Sequence, residues 1–124
     1  MNKAINVPDI PKGGPYSHAV VSGDHIFLSG QTGNVPNRVL NFDQQFDNAM
    51  EKIKKILDAS GSSLNDVVKV SVFLAYGGDF NRMNDLFGRY FKDNPPARTT
   101  VVTGFASEGV LVEIDVVAAK ATTK

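Results

Sequence analysis

The sequence predicts an α+β fold in which two helices cover one face of a single β-sheet. Three observations carry that prediction. The chain has 124 residues, the length of one domain. Two segments repeat apolar residues at three- and four-residue steps, the period of a half-buried helix. The remaining apolar runs are short, rich in β-branched residues and bounded by glycine and proline, as strands are.

The elements follow in order. Pro8, Pro11, Gly13, Gly14, Pro15, Gly23, Gly30, Gly33 and Pro36 punctuate the first forty residues and leave room only for short strands. Ala19-Val20-Val21 and His25 to Ser29 are those strands, joined through Ser22-Gly23-Asp24 as a hairpin. From Phe42 the period changes: Phe42, Phe46, Ala49, Met50, Ile53, Ile56 and Leu57 make one apolar stripe opposite Asp43, Asp47, Glu51, Lys54 and Lys55. Asn41 and Gln44 form a capping box at the start of this helix, and Gly61 suits a left-handed stop after it.

Val67 to Leu74 reads as a central strand. Asp79 is placed to cap a second helix whose stripe is Phe80, Met83, Leu86, Phe87, Tyr90 and Phe91, and Pro95 and Pro96 forbid its continuation. Arg98 to Val102 and Val110 to Ala119 are two further strands around a turn region from Gly104 to Gly109. Residues 1–124 read as one domain, without an internal repeat or linker.

Composition excludes several function classes. Thirteen Lys and Arg balance thirteen Asp and Glu, so no net field collects nucleic acid or anionic lipid. The chain has no cysteine, which removes disulfides, thiolate nucleophiles and Cys-ligated zinc; with two histidines a metal site is hard to assemble. His18 and His25 lack both metal-ligand spacing and a serine nucleophile motif. Phosphate-loop, dinucleotide, zincin and nucleophile-elbow signatures are missing as well. No run approaches the roughly 20 apolar residues of a membrane span. The opening residues lack the apolar core of a signal peptide, and a cytoplasmic protein without membrane partners is expected.

The last strand supplies a functional clue. Val112, Ile114, Val116 and Ala118 point one way, towards the helices, while Leu111, Glu113, Asp115, Val117 and Ala119 point the other. With Phe27, Phe73 and Val102 beside it, this second face is too apolar for a comfortable monomer. Two helices cover only one side of a sheet. An oligomer is expected, with an interface containing the acids and Arg98.

Arg98 follows the rigid Asn94-Pro95-Pro96-Ala97 lead-in, and its guanidinium fork suits either a ligand carboxylate or an interfacial ion pair with Glu113 or Asp115. Glu113 and Asp115 are either solvated strand acids or, in a partly apolar setting, carboxyls that move protons. Tyr16 after Gly13-Gly14-Pro15 either closes over a ligand or anchors the N-terminal segment. Ser29-Gly30-Gln31 ends a strand with a hydroxyl and free amides. Asn84 borders the stripe of the second helix, and Thr100 shares the face of Arg98.

Gly14-Pro15-Tyr16-Ser17, Phe27-Leu28-Ser29-Gly30-Gln31, Pro96-Ala97-Arg98-Thr99-Thr100 and Val112 to Ala118 together resemble the Rid family, also called YjgF or reactive intermediate deaminases. The resemblance spans nearly the whole chain in the same order. It implies a chorismate-mutase-like homotrimer with clefts between subunits, which hydrolyses 2-imino acids to 2-keto acids and ammonia without cofactor or metal. By position Arg98 matches the carboxylate-binding arginine and Glu113 the acid associated with water. Tyr16, Ser29, Gly30, Asn84 and Thr100 match cleft positions, and Asp115 is structural. Thr100 stands where many members have cysteine, and Thr32 to Leu40 is a shortened loop, so substrate preference is open to change. The alternatives are a trimer that binds keto acids or acts like a chaperone without turnover, and, less favoured, a ribonuclease.

Overall fold

A computed structural model describes residues 2–121. Helical and strand periods resolve as β1 (Lys3–Ile5), β2 (Ala19–Ser22), β3 (His25–Leu28), β4 (Gln31–Thr32), α1 (Phe42–Ala59), β5 (Val67–Leu74), α2 (Phe80–Tyr90), β6 (Ala97–Val102) and β7 (Val112–Ala119). The sheet runs β1-β2-β3-β7-β5-β6, with β4 also paired to β7. Every pairing is antiparallel except β5 with β6, whose parallel alignment requires the crossover that α2 supplies.

Local chemistry fixes the ends of α1. The Asn41 side chain accepts from the Gln44 amide at 2.8 Å while the Gln44 side chain accepts from the Asn41 amide at 3.0 Å. At the other end Ser62 N–H bonds Leu57 C=O and Gly61 N–H bonds Asp58 C=O, a Schellman closure that needs the left-handed backbone of Gly61, φ +79°. The β2–β3 hairpin turns through Gly23-Asp24, with Gly23 at φ +58°.

Phe46, Met50, Ile53, Ile56 and Leu57 of α1, with Met83 and Leu86 of α2, are buried against Ile26, Val70, Val72, Val112, Ile114 and Val116 of the sheet. Each large side chain of this layer contributes roughly 1.5–3 kcal/mol by leaving water. Both helices lie on that side. On the other, Phe27 pairs with Val117, and Phe73 lies between Glu113 and Val101. Phe27 and Val101 are nearly half exposed, at 48% and 42%.

The structure corrects four sequence expectations. Asp79 makes no capping hydrogen bond from its side chain, because a 3-10 turn over Gly77–Asp79 already holds its backbone in the helical region. The last strand begins at Val112 rather than Val110. Val102 pairs with Leu74, whose side faces the helices, so Val101 takes the place expected of Val102 on the open face. Strands β1 and β4 were not expected: they are three and two residues long, too short to show a period.

Candidate functional site

The candidate residues separate into two groups, and the pleat of the sheet decides the division. Glu113 projects from β7 onto the open face, opposite Thr32 of β4 and Phe73 of β5. Beside it the chain leaves β3 through Ser29-Gly30. A Cβ at Gly30 would overlap Oε2 of Glu113, so only glycine lets the carboxylate rest on the backbone there. Tyr16, Gly30 and Glu113 line one cleft of about 360 Å³, together with Lys12, Lys52 and Ser107.

Tyr16 is held by its own turn, its hydroxyl accepting from the Gly13 amide at 3.0 Å, while the residue remains 43% exposed. It therefore anchors the turn and faces the cleft at once. Ser29 Oγ donates to the Ser17 carbonyl at 2.7 Å, and the Ser29 amide donates to the His18 carbonyl, which ties the strand end to the Tyr16 segment. Burial raises the pKa of the Glu113 carboxyl, and the neighbouring charge of Asp115 raises it further. Among the described residues Glu113 has no ion-pair partner within 4.0 Å. Asp115 is raised by burial too, but a Ser71 hydrogen bond and the Lys69 charge oppose that effect.

The second group gathers at the other edge of the sheet. Arg98 of β6 pairs with Val70, a core residue, so its side chain lies on the helix side. Its guanidinium sits 4.8 Å from the Phe87 ring centroid and 5.8 Å from that of Phe80, and Nη1 lies 3.6 Å from Met83 Sδ. The ring faces stabilise the cation without using its donors, while Nη1 donates to the Met83 thioether. No carboxylate lies within 4.0 Å of it among the described residues, and burial lowers its pKa. Asn84, exposed, stands one turn beyond Phe80 on the same helix. Thr100 follows Arg98 on the same side of β6, and its buried hydroxyl has no partner.

Arg98 and Thr100 are thus brought together on one side of β6, with Asn84 exposed on the neighbouring α2, and Tyr16, Ser29, Gly30 and Glu113 gather elsewhere, but the two groups do not meet. Arg98 and Glu113 stand two strands apart and on opposite faces of the sheet, which excludes the ion pair between them within one chain. An interface that contains both the acids and Arg98 therefore draws them from opposite faces of the sheet.

Lys52 was missed by sequence reasoning. Its position, three residues after Ala49 and four before Ile56, puts it within the apolar stripe of α1, and a charge in that stripe was the available signal. Gln45 was missed for the same reason. It is buried, bonding the carbonyls of Leu40 and Gly109 and the amide of Leu111, and so fixes the loop on either side of the cleft. Among the described residues there is no cluster of three metal-ligating side chains, and no helix is long and apolar enough to cross a membrane.

A family model described as Endoribonuclease L-PSP matches residues 8–120. A RutC family protein of Pyrococcus horikoshii is 38% identical, over 97% of this chain and 99% of its own length. The chain belongs to the Rid family, also called YjgF or RutC. Its relatives carry mixed names: a protein of Dermatophagoides farinae named 2-iminobutanoate/2-iminopropanoate deaminase is 36% identical, over 91% of this chain and 92% of its own. The crystal structure of RidA from an Antarctic Psychrobacter superposes with a TM-score of 0.86 at 33% identity, covering 94% of this chain and 98% of that one. The Rid motifs around Tyr16, Gly30, Arg98 and Glu113 fall within the matched residues.

Proposed function

We propose that the protein is a cofactor-independent hydrolase that converts 2-imino acids to 2-keto acids and ammonia. It acts as a chorismate-mutase-like homotrimer whose clefts combine the Glu113 side of one copy with the Arg98 side of another. The observation that carries this reading is the Glu113 carboxylate, seated on Gly30 in a cleft, half-buried and without a counter-ion. Its complement is a guanidinium on an aromatic shelf, with Nη1 donating to Met83 Sδ and no carboxylate within 4.0 Å among the described residues. The relative named as a deaminase supports the same chemistry.

Arg98 takes the substrate carboxylate as a two-pronged hydrogen-bonded pair and so sets the position of the adjacent C=N carbon. Water adds to that carbon while Glu113 accepts its proton and passes it to the imine nitrogen, giving a carbinolamine. Glu113 then takes the hydroxyl proton and delivers it to the amino nitrogen as the C–N bond breaks, so ammonia leaves and the keto acid remains. A carboxyl whose pKa burial raises is a better proton acceptor than an ordinary carboxylate and can return the same proton. A non-catalytic keto-acid-binding trimer uses the same Arg98 without turnover. The endoribonuclease name of the family model finds less support in the residues, since the net charge is zero and His18 is buried while His25 is exposed.

An amino-acid oxidase that generates imines in situ, with keto-acid release followed with and without the protein, tests the reading. Faster release that saturates with protein-borne sites is expected. Release at the uncatalysed rate across small, branched and acidic side chains overturns it.

A further inference from the structure

Lys52 is an unusual residue for the cleft that holds Glu113. It belongs to α1, whose neighbouring positions Ala49, Ile53 and Ile56 are core, yet its side chain extends to the cleft wall. Its Nζ donates to the carbonyl of Thr32 at 2.8 Å. Thr32 in turn lies directly opposite Glu113 in the β4–β7 pairing. The ammonium is thereby tied to the strand that pairs with the acid strand, on the lining of the same cleft.

A half-buried ammonium ordinarily has a carboxylate partner, because one neutral acceptor does not replace its hydration. Among the described residues Lys52 has none within 4.0 Å. The carbonyl of Thr32 uses one of its three hydrogens, leaving two donors. Burial lowers its pKa, as expected of a charge without its counter-ion. Lys12, tied to Asn6 Oδ1 at 2.9 Å, adds a second cation to the same wall, against the single acid Glu113. The wall is therefore cationic, although the chain as a whole is neutral.

We propose that Lys52 binds a second anionic group on the substrate, so that the preferred imines are those of dicarboxylic amino acids. This rests on the hydrolase reading for turnover, but the anion site itself does not need turnover. Arg98 holds the carboxylate next to the reacting carbon, and Lys52 holds the one at the end of the side chain. A lysine serves here because the distal group of a flexible side chain is met by a compact point charge rather than a planar fork.

The test has two arms. In the first, calorimetry compares 2-oxoglutarate with 2-oxobutanoate on the wild type, Lys52→Gln and Lys52→Arg. Wild type and Lys52→Arg are expected to prefer the dicarboxylate by about tenfold or more, and Lys52→Gln to lose that preference. In the second, the ratio of kcat/KM for the imines of glutamate and of 2-aminobutanoate is expected to fall by the same factor in Lys52→Gln and to recover in Lys52→Arg. A ratio unchanged by Lys52→Gln overturns the proposal, and it does so even if both activities fall together, because that outcome is a merely structural tie between α1 and β4. Preferential binding of 2-oxoglutarate without turnover of any imine upholds the Lys52 site and defeats the hydrolase reading instead. Turnover with no preference in either arm does the reverse.

Discussion

Gly30 and Glu113 share one volume: the space that a Cβ would fill at Gly30 is taken by the Glu113 carboxylate. Gly30→Ala must therefore push the carboxylate aside or lift the β3–β4 connection. Since displacement of a reacting group by about 1 Å costs on the order of a hundredfold in rate, keto-acid release is expected to fall about that far. Circular dichroism should stay native. Full activity in a folded Gly30→Ala protein would show that the position of Glu113 is irrelevant to the chemistry.

Arg98→Lys tests the donor fork separately from the charge. Lysine keeps a cation near Phe87 and Phe80 but offers no planar pair of N–H groups. Loss of one charge-assisted contact of about 1.5–3 kcal/mol predicts a drop of roughly ten- to a hundredfold in kcat/KM, and Arg98→Ala should fall at least as far. An Arg98→Lys protein with unaltered KM would rule out carboxylate capture by this side chain.

Glu113→Gln separates catalysis from stability. Burial raises this carboxyl, so the folded protein holds its proton more firmly than the unfolded chain does. The stability that the group contributes is complete below the ordinary carboxylate range and is lost as pH rises through the folded value. The amide is neutral throughout. Glu113→Gln is therefore expected to melt above the wild type at neutral pH, with the advantage fading as the solution is acidified. Its turnover should nevertheless collapse, whereas keto-acid binding stays within a few-fold. In the wild type, kcat/KM should rise with pH through an inflection above the usual carboxylate range, and a flat profile would exclude Glu113 as the base. Asp115→Asn should be mild by comparison.

The open sheet face predicts assembly. Phe27→Glu or Val101→Lys places a charge on the open sheet face that a second copy is expected to cover. Light scattering should report trimers for the wild type and smaller species for both variants. A wild type that stays monomeric at micromolar concentration would remove the shared cleft.

The layout was legible in the sequence wherever one face of an element is buried. The α1 stripe, its capping box and its glycine stop were read from residue spacing, and so was the alternation of β7, because burial on one side imposes a period. Strands β1 and β4 escaped because three or two residues carry no period. Asp79 has the right residue type for a cap but enters the helix from a 3-10 turn, which spacing does not reveal. Candidate residues were legible by type, but their division was not. Whether Arg98 and Glu113 share a face depends on register across β5, and register is a relation between strands rather than a property of either. Lys52 and Gln45 escaped because polar residues on a helix are by default assigned to solvent.

The separation of Arg98 from Glu113 by the thickness of the sheet makes the shared-cleft reading a matter of counting. Under that reading an Arg98→Ala chain still offers intact Glu113 sides, and a Glu113→Gln chain still offers intact Arg98 sides. Each variant alone builds only defective clefts. Unfolded together in equal amounts and allowed to reassociate, they should rebuild about one wild-type cleft in four at random, since each cleft draws its two halves independently. Mixing two inactive proteins should thus yield about a quarter of the wild-type rate per cleft. A protein whose sites are complete within one chain would yield nothing.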